Sequence, residues 1–292
     1  MISSWFRAIR IRFLLASVIA VTTGLTISYW RTGQIDPFNG ILTYVGVVFL
    51  HASVDLLNDY WDHRRGIDSM TTRTKFSGGT GVLPEKLLSP RAVYSAGIVF
   101  LILGAAIGTY FVVTKGITVA IILGFAVAAI YFYSTSIVNA GLGELFVAIK
   151  GAMIVLGTFY VQTTTLDPAA ALIGIIIGLL SATVLFINAF PDYAADKSGG
   201  RRTLVIVLGR RNAARIFPLF FIAAYGMIVA SVLVGYAAIY ALIGLGSFPL
   251  ALRALMQVRG KNVEVNDMVP AMASTVMYSR VTGFLLAFSF LL

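Results

Sequence analysis

Two short stretches carry residue types able to hold a cation. The first places Asp55, Asn58, Asp59, Asp62 and Asp68 within 14 residues, and the second places Asn188, Asp192 and Asp196 ahead of Lys197. Six of the chain's 12 acidic residues stand in these stretches. On a helix, residues four apart share a face, so Asn58 pairs with Asp62 and Asn188, Asp192 and Asp196 form a ladder. Asp55, Asp59 and Asp62 line an adjacent stripe. Carboxylates this close repel one another unless a divalent ion sits among them. Oxygen donors without thiolate or paired imidazole suit Mg2+, an ion that typically bridges protein carboxylates to phosphates. Two facing ladders are predicted to hold two Mg2+ ions with a diphosphate between them.

The elements that position these groups are helices in a membrane. Hydrophobic residues make up 59% of the 292 residues and charged residues 12%, at a mean hydropathy of +0.90. A chain of that composition is a polytopic all-α membrane protein. Runs long enough to cross a bilayer predict nine spans, near 13–30, 40–57, 92–113, 117–134, 142–162, 168–189, 213–234, 236–252 and 268–290. The basic start lacks a small-residue cleavage site, so the first apolar run is expected to be a retained helix. One membrane domain over 1–292 accounts for the whole sequence.

With the N-terminus inside, 18 of the 22 Lys and Arg residues fall on the cytoplasmic side, Arg259 and Lys261 among them, and only Arg31 and Lys115 fall opposite. That bias predicts a multi-pass cell-membrane protein with both acidic stretches facing the cytoplasm. It also accounts for the net charge of +10, which therefore gives no reason to invoke nucleic acid. The absence of cysteine excludes disulfides, thiolate catalysis and iron–sulfur clusters, and two histidines are too few for an imidazole-built zinc site.

Each acidic stretch opens a longer loop rich in Gly and basic residues: Arg73 and Lys75 with Gly78, Gly79 and Gly81, then Lys197, Arg201 and Arg202 with Gly199 and Gly200. The other connections are short, and long loops in a tight bundle tend to be functional. Arg73, Lys75, Lys197, Arg201 and Arg202 are expected to clamp the diphosphate, because guanidinium forks match phosphate oxygens. The Gly78–Gly81 run either presents backbone N–H groups to phosphate or is simply a flexible loop. The matched Asn-x-x-x-Asp stretches, four spans apart, suggest a duplicated four-helix unit with a ninth helix added.

These residues resemble a known family. Asn58-Asp59-x-x-Asp62 with Asp192-x-x-x-Asp196 is similar to the UbiA superfamily of intramembrane prenyltransferases, nearest its 1,4-dihydroxy-2-naphthoate (menaquinone) branch. Ser77–Leu83, Gly141–Phe146, Gly157–Gln162, Asp192–Leu204 and the starting Arg10-Ile-Arg12 carry the likeness further. The resemblance implies nine helices around a central cavity under cytoplasmic cap loops, and prenyl transfer from an isoprenoid diphosphate to an aromatic or lipid acceptor in the membrane. Asn58 and Asp62 would serve one Mg2+, Asp192 and Asp196 the other. Where many relatives carry a third aspartate this chain has Gly66, and Asp68 is the nearest substitute. Where some carry a lysine it has Thr135, and Lys150 is the candidate replacement.

In such a reaction the metal and basic groups stabilise the departing diphosphate, while a water-free cavity protects the allylic cation. Tyr131, Phe132, Tyr133 and Phe146 are candidates to stabilise that cation through their ring faces. Arg10, Arg12, Glu144 and Lys150 are expected at the substrate cavity. Arg280 is expected to be structural, and His51 and His63 to be packing or loop residues. Transfer to geranylgeranylglyceryl phosphate is an alternative within the class. Cation-coupled transport is the alternative outside it, disfavoured because transporter sites sit near the midplane on interrupted helices.

Overall fold

The structure is a computed structural model, and it describes residues 2–258 and 265–292. Arg259 and Lys261 lie outside the described residues. Among the described residues nine helices are long and apolar enough to cross a membrane. In lipid every backbone N–H and C=O needs an internal partner, and a helix supplies it.

A short α1 (Ile2–Ala8) leads through Arg10, which adopts left-handed backbone, into α2 (Ile11–Thr32). Then come α3 (Pro37–Arg64), the four-residue α4 (Ile67–Met70), α5 (Pro90–Lys115) and α6 (Ile117–Phe132). Beyond α6 the chain widens into a π-helical turn, Tyr133–Ile137, and tightens at Val138–Ala140. Next are α7 (Gly143–Thr163), α8 (Pro168–Asn188), α9 (Tyr193–Ser198), α10 (Leu204–Leu208) and α11 (Arg210–Leu233). The eighth span opens as a 3-10 helix, Ile239–Ser247, and continues as α12 (Phe248–Val258); α13 (Val265–Ser289) is the ninth.

Three spans begin alike. Asp36, Ser89 and Asp167 each cap a helix whose first residue is proline, and their side chains accept from Asn39 N, Ala92 N and Ala169 N at 3.1, 3.2 and 2.6 Å. The cap oxygen satisfies an otherwise unpaired N–H, and proline needs no partner there.

The main core joins α2, α7, α8, α11 and α13 through Ile27, Phe159, Ile173, Leu180, Phe217 and Tyr278, all nearly fully buried. Where α7 crosses α8, a methyl group added at Gly178 would lie 1.9 Å from the Ala148 carbonyl oxygen, and one at Gly151 would lie 2.5 Å from Gly178 Cα. Gly174 and Gly178, one turn apart, let the two backbones approach as closely as helices do in lipid. No sequence reading above had singled them out.

The stretch 65–89, with α4, α9 and α10, closes one end of the bundle. Ile67 packs on Gly199, joining the two long loops, and Glu85 accepts from Arg7 at 2.7 Å and from Arg73. The nine spans fall near their expected positions, but α3 runs seven residues past its expected end at 57, to Arg64, and α12 six past 252, to Val258. The continuous Asn188–Asp196 ladder does not form: α8 ends at Asn188, and Asp192 only begins α9. Pro191 accounts for the break, since it cannot donate to the helix and disfavours helical geometry in the residue before it.

Candidate active site

The bundle encloses a cavity of about 410 Å3, polar at the capped end and apolar along its length. Thr43 and Asp62 both line it from α3, so it runs about 28 Å along that helix at 1.5 Å per residue. The apolar body is walled by Gly104, Ile107, Phe111, Ile122 and Leu123 among others. Asn58, Asp62, Asn188, Asp192, Asp196 and Arg201 form the polar end.

Helix α3 delivers Asn58 and Asp62 on one face, and the Asn58 amide donates to Asp62 Oδ2 at 2.9 Å. The Asn58 carbonyl oxygen accepts from Ser134 Oγ at 3.0 Å and from Arg201 Nη2 at 3.1 Å. Ser134 reaches it from the π-helical turn after α6, a distortion frequent at functional sites. Arg201 bonds Asp62 through Nη2 and Asp196 through Nη1 at 3.1 Å. Its guanidinium therefore ties the two acidic stretches together. Burial alone would lower the Arg201 pKa, but the charges of Asp62 and Asp196 outweigh it and hold the group firmly protonated.

Asp192 accepts from the Gly78 N–H at 3.1 Å through Oδ2, while its Oδ1 and the Asn188 Oδ1 are buried without a hydrogen-bond partner. Burial, with the Asp196 charge adding to it, pushes the Asp192 carboxyl up to about 7. Asp196 is raised as well, again chiefly by burial. The Gly78–Gly81 run is the roof of this end. Gly78 holds φ +86°, and a methyl group there would come 2.9 Å from Arg73 Cα; one on Gly79 would come 2.5 Å from Asp68 Oδ1. Only glycine admits that path.

The donor chemistry fits a hard divalent cation. All donors are oxygen, two of the buried ones are unpartnered, and they come as an Asn–Asp pair from each side. Among the described residues no group of three or more His, Asp or Glu side chains converges to cage an ion by itself. Mg2+ commonly takes one or two carboxylates and completes its shell with phosphate and water, so paired donors suit it.

Several expected residues are elsewhere. Asp59 is 1% exposed and turned from the cavity, accepting from Arg10 Nη2 at 2.6 Å and from Thr80 Oγ1. Asp68 is buried behind the loop against Gly79; burial, then the charges of Asp62 and Asp59, raise it to about 7. Arg73 is engaged with Glu85. Lys75 lies over the Phe76 ring at 5.9 Å and Lys197 over the Tyr193 ring at 5.8 Å, both exposed, and Arg202 is exposed too. Of the five expected basic residues, only Arg201 lines the cavity. Tyr131 and Phe132 are 42% and 50% exposed on the outside of the bundle, whereas Tyr133 and Phe146 line the cavity. Two residues apart on a helix, Tyr131 and Tyr133 stand about 200° apart, so one faces outward and the other inward.

Arg10, Arg12, Glu144 and Lys150 all line the cavity. Glu144 accepts from Leu204 N at 3.1 Å, anchoring α10. Arg280 lines it too and donates to the Arg12 carbonyl at 2.7 Å. His51, expected as a packing or loop residue, also faces the cavity, as does Asp55. The spacing was available in the sequence: His51, Asp55, Asn58 and Asp62 follow one another at four, three and four residues, a single helical stripe. Ser17, Ser134 and Thr203 were missed because nothing in their spacing marks them.

The chain is 28% identical over 287 residues to the 1,4-dihydroxy-2-naphthoate octaprenyltransferase of Bacillus subtilis, covering 96% of this chain and 89% of that one. A UbiA homologue from Aeropyrum pernix has the same fold at a TM-score of 0.71 and 15% identity, covering 94% of this chain and 97% of the other. A second, from Archaeoglobus fulgidus bound to DMAPP and Mg2+, gives 0.68 at 16% identity, covering 97% and 99%. The pattern of the UbiA prenyltransferase family matches residues 17–279, so the chain belongs to that family of membrane enzymes.

Proposed function

We propose that the enzyme transfers a polyprenyl group from its diphosphate to an aromatic acceptor, a 1,4-dihydroxy-2-naphthoate, at the cytoplasmic face of a cell membrane. The observation that carries this reading is the cavity itself. Its polar end holds oxygen donors and a buried guanidinium, and the cavity continues from there into an apolar body, about 28 Å over both. That shape suits a molecule with a phosphorylated head and a long hydrocarbon tail. The naphthoate acceptor is supported by the relative that covers nearly the whole chain, and the Mg2+ requirement by the homologue bound to DMAPP and Mg2+.

Asn58 and Asp62 on one side and Asn188, Asp192 and Asp196 on the other would hold Mg2+ with the diphosphate. The chemistry supplied by bound Mg2+ is neutralisation of charge on the leaving diphosphate. Arg201 contributes a charge-assisted donor to the same oxygens once it leaves the carboxylates it now bridges. The Gly78–Gly81 roof and α10 exclude water from the breaking bond. Tyr133 and Phe146 offer their rings to the allylic cation from the cavity wall. The 18 basic residues expected on the side of the acidic stretches support a cytoplasmic orientation.

The test is direct. Purified protein in lipid discs receives Mg2+, a labelled polyprenyl diphosphate and, in separate reactions, dihydroxynaphthoate, 4-hydroxybenzoate and geranylgeranylglyceryl phosphate. Prenylation of the naphthoate alone is expected. Product on the glycerol phosphate instead would replace the acceptor assignment, and no product from any would remove it.

A further inference from the structure

Among the cavity-facing polar groups that the mechanism above leaves unused are Ser17, His51, Asp55 and Lys150. They stand below the diphosphate end. On α3, Asp55 is one turn and His51 two turns deeper than Asn58, about 4.5 and 10 Å at 1.5 Å per residue. Lys150 on α7 is six residues, about 9 Å, deeper than Glu144.

Three of these groups are linked across two helices, α2 and α3. Ser17 Oγ is 2.7 Å from His51 Nδ1, and His51 Nε2 faces Asp55 Oδ2 at 3.7 Å. The hydroxyl contact fixes the ring, and the ring flanks the carboxylate without a hydrogen bond to it. Asp55 Oδ2 is buried and has no hydrogen-bond partner. Lys150 makes no ion pair among the described residues and lines the same cavity as Asp55. An ammonium and a carboxylate at membrane depth are costly when left apart, and such residues are functional by default.

We infer that these residues form the acceptor subsite, in which Lys150 pairs with an anionic oxygen of an aromatic acceptor and Asp55 takes the proton of its ring hydroxyl. The inference rests on the prenyl-transfer reading and deepens it. Asp55 is then a catalytic residue, and His51, held by Ser17, is a positioning residue acting through it. The balance closes. The hydroxyl proton passes to the Asp55 carboxylate, and the electron-rich ring carbon forms the bond to the first prenyl carbon. The prenyl C–O bond breaks, its electron pair leaving on diphosphate. The substituted ring carbon then releases a proton to the departed diphosphate, or carbon dioxide where it bears a carboxylate, and Asp55 returns its proton to the ring oxygen. Placement one to two turns below the diphosphate puts the ring beside the reacting carbon and keeps the ammonium from competing for phosphate.

The experiment measures both Michaelis constants in lipid discs for wild type, Lys150→Met, Lys150→Arg, Asp55→Asn, His51→Asn and His51→Gln. Lys150→Met is expected to raise the acceptor KM at least tenfold while the prenyl diphosphate KM stays within twofold, and Lys150→Arg to restore most of it. Asp55→Asn is expected to lower kcat about a hundredfold, the scale of losing a general base. His51→Gln, whose amide can stand near the Nε2 position, should retain more kcat than His51→Asn. An unchanged diphosphate KM shows that each variant folds. A Lys150→Met enzyme with both constants raised alike, or unchanged acceptor KM and kcat across the set, overturns the subsite. Wild type that transfers no prenyl group to any acceptor overturns the underlying reading instead, so the two failures are distinct.

Discussion

Arg201 holds Asp62 and Asp196 together, and removing it exposes what the acidic stretches need. Its side chain is 13% exposed and those of both carboxylates are 5% exposed. Arg201→Leu leaves two buried carboxylates facing each other with no cation, and breaking a buried pair this way costs about 3–5 kcal/mol. The metal-free variant should therefore melt several degrees below wild type, a larger change than an exposed ion pair could give. The same substitution frees the Asn58 oxygen and both carboxylates for a metal. Mg2+ should then raise the melting temperature of Arg201→Leu more than that of wild type, because a ligand that binds the folded state more tightly stabilises it more. The assay is a thermal melt in detergent with and without Mg2+, with Ca2+ as a second cation. Equal Mg2+ shifts in both proteins, or a metal-free variant as stable as wild type, would refute the idea that a guanidinium stands where a cation belongs.

Other consequences follow from the same geometry. Lys75→Ala and Lys197→Ala should leave the diphosphate KM within about twofold, whereas Arg201→Ala should raise it about tenfold or more, as expected for a charge-assisted bond worth 1.5–3 kcal/mol. Steady-state kinetics decides this, and equal effects would restore the larger basic clamp. The Asp68 and Asp192 carboxyls rise from 3.8 to about 7 in the folded chain, so there the folded state binds more protons than the unfolded one. That penalty is absent below the unfolded value and complete above about 7, so the metal-free melting temperature should fall as pH rises through that window, and Asp68→Asn should flatten the slope. Gly178→Val should abolish stable assembly of α7 on α8, read as loss of a monodisperse species by gel filtration, since the added atoms would overlap the Ala148 carbonyl.

Much of this was legible because helices in lipid obey a simple period. The spans follow from runs of apolar residues, and the Asn58–Asp62 pair follows from spacing because α3 continues unbroken to Arg64. The same rule failed at Asn188–Asp196, where Pro191 splits the helix and Asp192 reaches the site from a turn. Tyr131 and Tyr133 are alike by type, but two residues apart on a helix they stand about 200° apart, so one faces outward and the other the cavity. Loop residues were least legible. Arg201 and Arg202 are neighbours of equal charge, yet Arg201 folds back onto Asp62 while Arg202 faces outward, a choice made by tertiary packing. His51 was legible in principle, two turns before Asn58, and was passed over because a single histidine in an apolar run reads as packing.

The central claim is that donors from both acidic stretches act as one metal-dependent unit on the diphosphate. The most direct measurement is kcat at saturating Mg2+ for Asp62→Ala, Asp192→Ala and the double variant, each with prenyl diphosphate and acceptor in excess. Each single variant is predicted to lose about a hundredfold or more, the scale of removing a major electrostatic stabiliser. The double variant should be little worse than either, because groups that act as a unit are not additive. Near-normal turnover in either single variant, or losses that simply multiply in the double, would contradict the account.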